Sequence, residues 1–63
     1  MVLKVHILDL IKADKLISDN EFLQKVLVPQ QGFWLVLTDD KDQLAEIKRQ
    51  FTAKNIRFKL EEE

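Results

Sequence analysis

Apolar residues follow three rhythms along the chain. The longest unbroken run is Phe33-Trp34-Leu35-Val36-Leu37, with Gly32 before it and Thr38-Asp39-Asp40 after it. A run this short, rich in aromatic and β-branched side chains and bounded by turn residues, predicts a strand removed from water on both faces, hence a central one. Alternation marks two others. Leu3, Val5 and Ile7 alternate with Lys4 and His6, predicting a half-buried strand from Val2 to Leu8, and Ile56, Phe58 and Leu60 alternate with Arg57 and Lys59 in a last strand. The third rhythm is helical. Leu44, Ile47 and Phe51 recur at i, i+3 and i+7 behind Asp40-Lys41-Asp42-Gln43, a capping-box pattern with Asp as the cap. A helix is therefore expected over about 41–54, closed by Asn55 in the left-handed conformation. Leu10, Ile11, Ala13, Leu16 and Ile17 predict a shorter helix over about 10–17, with the Asp9 carboxylate as its cap.

Ser18 to Val28 fits two patterns. Ser18-Asp19-Asn20-Glu21 reads as a capping box with Phe22 and Val26 following at helical spacing. As a strand, the same stretch points Phe22, Val26 and Val28 one way and Leu23, Lys25 and Leu27 the other. Pro29-Gln30-Gln31-Gly32 is then a compact reversal, and pairing Val28 with Phe33 and Val26 with Leu35 keeps the apolar faces in register. The hairpin is the preferred reading. It gives the order strand, helix, strand, strand, helix, strand, which predicts an α+β fold, a compact two-layer ferredoxin-like βαββαβ. The first and third strands are expected to be central neighbours, parallel to each other, with both helices on one face. A helical 19–28 gives the alternative, a three-stranded parallel βαβαβ layer.

Length limits what such a fold can do alone. A chain of 63 residues makes one small α/β domain and buries only about 60% of the surface its unfolded form exposes. Glu61 to Glu63 read as a solvated acidic tail. Cys is absent and there is a single His, so neither a disulfide nor a zinc site can supply missing stability, and oligomerisation is the remaining device. Net charge is −1, from ten basic and eleven acidic residues, so no global field draws the chain to nucleic acid or to an anionic membrane. No apolar stretch approaches the roughly 18 residues of a membrane span, and neither a signal-peptide pattern nor a low-complexity segment is present. A cytoplasmic location is the resulting expectation.

Strand alternation also predicts which residues meet water. If the helices cover Leu3, Val5, Ile7, Phe33, Leu35, Leu37, Ile56, Phe58 and Leu60, the open face of the sheet carries Trp34, Val36, Leu27 and Leu23, ringed by Lys4, His6, Lys25, Arg57 and Lys59. An apolar patch of that kind marks an interface, and symmetric dimers are the commonest oligomers. The expected function is a small non-enzymatic interaction or assembly module that docks through this face to a second copy or a larger protein. A single-stranded nucleic-acid binder, stacking bases on Trp34 between the cations, is the alternative. A third reading takes Asp9 and Asp39-Asp40, expected at one end of the two central strands, as Mg²⁺ ligands for phosphoryl transfer. Helix capping accounts for those aspartates more simply. His6 lacks the neighbours of a catalytic constellation, and no Gly-rich phosphate loop or nucleophile elbow is present, so no catalytic, metal or cofactor-binding residue is expected.

Overall fold

Each element of the computed structural model, which describes residues 1–62, begins and ends for an identifiable local reason. Strand β1 (Val2–Val5) stops earlier than alternation alone predicts. The His6 ring accepts a hydrogen bond from the Leu8 backbone N–H (3.1 Å), turning residues 7–9 into a 3₁₀ turn that runs straight into α1 (Leu10–Ser18). The stretch after α1 contains both structures its sequence suggests. Asn20, rather than Ser18, caps a short α2 (Glu21–Val26) through Oδ1 on the Leu23 N–H (3.2 Å), and β2 (Leu27–Pro29) follows without a break. Gln30 N–H donates to the Phe33 carbonyl (2.8 Å) around Gln31-Gly32. Gly32 takes φ +82°, a left-handed conformation in which an L side chain is strained.

β3 (Phe33–Val36) leads to α3 (Lys41–Ala53), where Asp40 Oδ1 accepts from the Asp42 and Gln43 N–H groups at 2.8 and 3.3 Å, as the capping pattern predicts. At the other end Asn55 has φ +58°, again as expected. Ile56 N–H reaches back to the Phe51 carbonyl and Asn55 N–H to that of Thr52, both at 3.0 Å, while the Ile56 and Phe51 side chains are buried. These are the paired bonds and apolar contact of a Schellman motif. β4 (Phe58–Glu61) takes in Glu61, which is therefore a strand residue rather than tail; Glu63 lies outside the described residues.

The four strands form one antiparallel sheet in the order β2-β3-β1-β4, which excludes the three-stranded parallel layer. β1 and β3 are central neighbours, as expected, but they run antiparallel, not parallel. Helical crossovers explain the difference. α1 and α2 return the chain from β1 to β2, and α3 returns it from β3 to β4, so the parallel pairs are β1 with β2 and β3 with β4, each separated by one strand. The β2–β3 register also differs by two residues from the expected pairing, with Val28 opposite Leu35 and Leu27 opposite Val36. The tighter reversal at Gln31-Gly32 draws in the residues that a four-residue turn would have used.

Residues directly opposite one another share a face. Leu3 lies between Trp34 and Leu60, Val5 faces Phe58, and Leu27 faces Val36. This face packs on Ala13, Leu16 and Ile17 of α1, Leu23 and Val26 of α2, and Ile47 and Phe51 of α3. The Phe51 and Phe58 rings meet edge to face, 5.6 Å apart. The expected inward phase is therefore right for β4 and for β1 as far as Val5, fails at Ile7, and is reversed for β2 and β3. Trp34 (5% exposed), Val36, Leu27 and Leu23 belong to the helix-covered core, not to the open face, and Leu23 is on a helix. Five consecutive apolar residues satisfy either phase, so alternation gives β3 no direction. Pairing supplies the direction: Trp34 stands opposite Leu3, whose own strand alternates, so the indole takes the face that Leu3 buries.

Candidate functional site

With Trp34 inside, the opposite face of the sheet takes its residues from the other phase of each strand. Val28, Leu35, Val2 and Glu61 form one row across it, and Phe33, Lys4 and Lys59 the next. Val28, Leu35, Val2 and Phe33 are only half-buried, and Leu37, just past β3, is 62% exposed. The face has two halves. Its β2–β3 side is aliphatic and aromatic, while its β1–β4 side is charged.

The charged half gathers four of the predicted site residues. Lys4, His6, Arg57 and Lys59 line one shallow depression of about 310 Å³, where β1 and β4 run side by side and His6 N–H donates to the Arg57 carbonyl (2.9 Å). Most of this charge is already matched. Glu61 sits 3.0 Å from the Lys4 ammonium and 3.6 Å from that of Lys59, and its carboxyl is held below the usual range, chiefly by its hydrogen bond with Lys4. Arg57 is held by Asp9.

Among the described residues, Asp9 is the one charged side chain that is buried, 3% exposed. Its carboxylate makes no bond to the start of α1, so it is not the cap it was expected to be. Oδ2 accepts from both the backbone N–H and Nε of Arg57 at 2.9 Å, and Oδ1 accepts from Nη2 at 3.3 Å. These hydrogen bonds, the side-chain one foremost, hold the Asp9 carboxyl far below its ordinary range, and burial works against them. The pair ties the 3₁₀ turn to the start of β4. It also disposes of the expected Asp9–Asp39 cluster, because both Asp9 oxygens are engaged, and antiparallel β1 and β3 place Asp9 and Asp39 at opposite ends of the sheet.

No protein-family model, curated protein or solved structure matches the chain. The surface must therefore be read from its own chemistry.

Ile7, Leu8 and Ile11, on the segment that Asp9 anchors, are 76%, 75% and 85% exposed. Sequence reasoning places Ile7 in the core and counts Ile11 among the apolar positions of the first helix, and the structure exposes both. A signal was present: Ile11 lies about 160° around the helix from Ala13, well off the stripe that Ala13, Leu16 and Ile17 bury. Of the predicted interface, then, Lys4, His6, Arg57 and Lys59 come together at the surface, while Trp34, Val36, Leu27 and Leu23 are withdrawn from it. Phe33, Leu35, Val2 and Val28 take their place on the open face.

Proposed function

We propose that this chain is a small non-enzymatic assembly module of ferredoxin-like βαββαβ type, and that the helix-free face of its sheet docks against a second copy. The order β2-β3-β1-β4, with helical crossovers joining strands that are parallel and one apart, supports the fold assignment. The single observation that carries the function is the row on the helix-free side of β3. Phe33 and Leu35 on a central strand and Leu37 just past its end follow one another with no element among the described residues covering them.

Two features favour a second copy as the occupant. A twofold axis near β3 brings the apolar halves of two faces together and carries the Lys4, Lys59 and Arg57 halves to opposite ends, so like charges do not meet. A standard interface takes about 800 Å² from each partner, a little under a fifth of the 4532 Å² this chain exposes. Base stacking on Trp34 loses its basis, since the indole lies beneath the sheet. Sedimentation velocity across a concentration series tests the proposal. The chain is expected to form dimers at micromolar concentration, and Leu35→Lys, which leaves the core untouched, to sediment as a folded monomer. A wild-type chain that stays monomeric throughout would rule out the second copy as occupant.

A further inference from the structure

We propose a second, separate site: the cleft between α1 and α3 binds a phosphate-bearing anion. It encloses about 430 Å³, within the range of small-ligand pockets, and is lined by Lys12 and Lys15 of α1, Asp19 and Asn20 at the α1–α2 joint, and Gln50 and Lys54 at the end of α3. Three lysines thus border one concavity with a single acidic residue among them.

What sets these lysines apart is their convergence on one concavity, since Lys25, Lys41 and Lys48 are also without an ion pair among the described residues. Lys4 and Lys59 have Glu61, Arg49 has Glu46, and Arg57 has Asp9. Lys12 is 4.0 Å from an Asp9 oxygen that already serves Arg57, and among the described residues Lys15 and Lys54 have no carboxylate within ion-pairing distance. Both also stand at helix C-terminal ends, whose partial charge of about −0.5 each offsets some of the positive potential. With Asp19 counted as well, the cleft remains positive by about one charge. Asn20 adds a neutral donor, because its Oδ1 is committed to the Leu23 N–H and its amide N–H₂ is left for a ligand. Several donors, excess positive charge and no acceptor surplus match phosphate or pyrophosphate, free or carried on a lipid headgroup.

Melting curves with sodium pyrophosphate, against sodium chloride at equal ionic strength, test the site. At ten times its Kd the anion is expected to raise Tm by about 10 °C over the chloride control. The double variant Lys15→Gln/Lys54→Gln should lose that rise, while Lys48→Gln, outside the cleft, should keep it. Equal effects of the two salts, or a rise that persists in the double variant, would overturn the proposal. Flotation with phosphatidylcholine vesicles, with and without a phosphoinositide, separates the sources. Recruitment by the phosphoinositide that the double variant abolishes identifies the headgroup, and its absence alongside a pyrophosphate shift identifies free phosphate. All melting curves are compared at one protein concentration, so that a failure of dimerisation and a failure of anion binding remain distinguishable.

Discussion

Two adjacent residues of β3 are expected to respond very unequally to truncation. Trp34 is buried among residues from α1, α2 and α3, and removing a buried Trp side chain costs about 3–5 kcal/mol. At about 0.05–0.15 kcal/mol per residue, a chain of 63 residues has a total stability of about 3–9 kcal/mol, so Trp34→Ala should leave the protein unfolded or close to it. Leu35 is half-buried on the other face, and Leu35→Ala should cost about 1 kcal/mol in the monomer, below the 2–5 kcal/mol of a core leucine. Urea titration followed by far-UV circular dichroism, at concentrations low enough to keep the chain monomeric, measures both without depending on the Trp fluorescence that one variant lacks. A tolerated Trp34→Ala with a strongly destabilised Leu35→Ala would refute the phase of β3 and the surface derived from it.

Acid stability should follow three carboxyls held below their ordinary range: Asp9 by Arg57, Glu61 by Lys4, and Glu46, pushed down to about 2 by hydrogen bonds from Arg49 and Gln50. Their contributions are fully present above about pH 5, where the unfolded groups are also ionised, and are lost as pH falls through the folded values. In Asp9→Asn, denaturation midpoints measured from pH 6 down to pH 2 should show a shallower slope, by about one proton. Asp40→Ala should cost about 1 kcal/mol in chemical denaturation through loss of the α3 cap, and Asp39→Ala close to nothing. At Asn55, with φ +58°, Ala should lower stability by about 1 kcal/mol and Gly should not, which thermal melts can compare directly.

What the sequence made legible divides by physical cause. Local signals read well: the Asp40 cap, the left-handed Asn55, the alternation of β1 and β4, and the central place of β1 and β3 follow from residue chemistry and period. Signals that depend on a distant partner did not. Asp9 looks like a cap because it precedes a helix, and only the fold brings Arg57, forty-eight positions away, to its carboxylate. The phase of the apolar run at Phe33 is fixed by pairing with Leu3, since the run itself is symmetric. In Ser18–Val28 a helix and a strand are fused without a turn, so patterns of both kinds were present and neither covered the whole. Among the site residues, the cations of β1 and β4 were found because those strands alternate strictly, whereas the apolar half was assigned to the wrong side with β3.

The central claim, that the helix-free face rather than the Trp34 side meets a second copy, is tested most directly by isotope-filtered NOE measurements on a mixture of ¹³C-labelled and unlabelled protein. Intermolecular contacts are expected from Phe33, Leu35, Val2 and Val28, with none from Leu16, Ile47 or Phe51. Intermolecular contacts confined to Ile7, Leu8 and Ile11 or to α3, or none at all at concentrations where the chain sediments as a dimer, would contradict it.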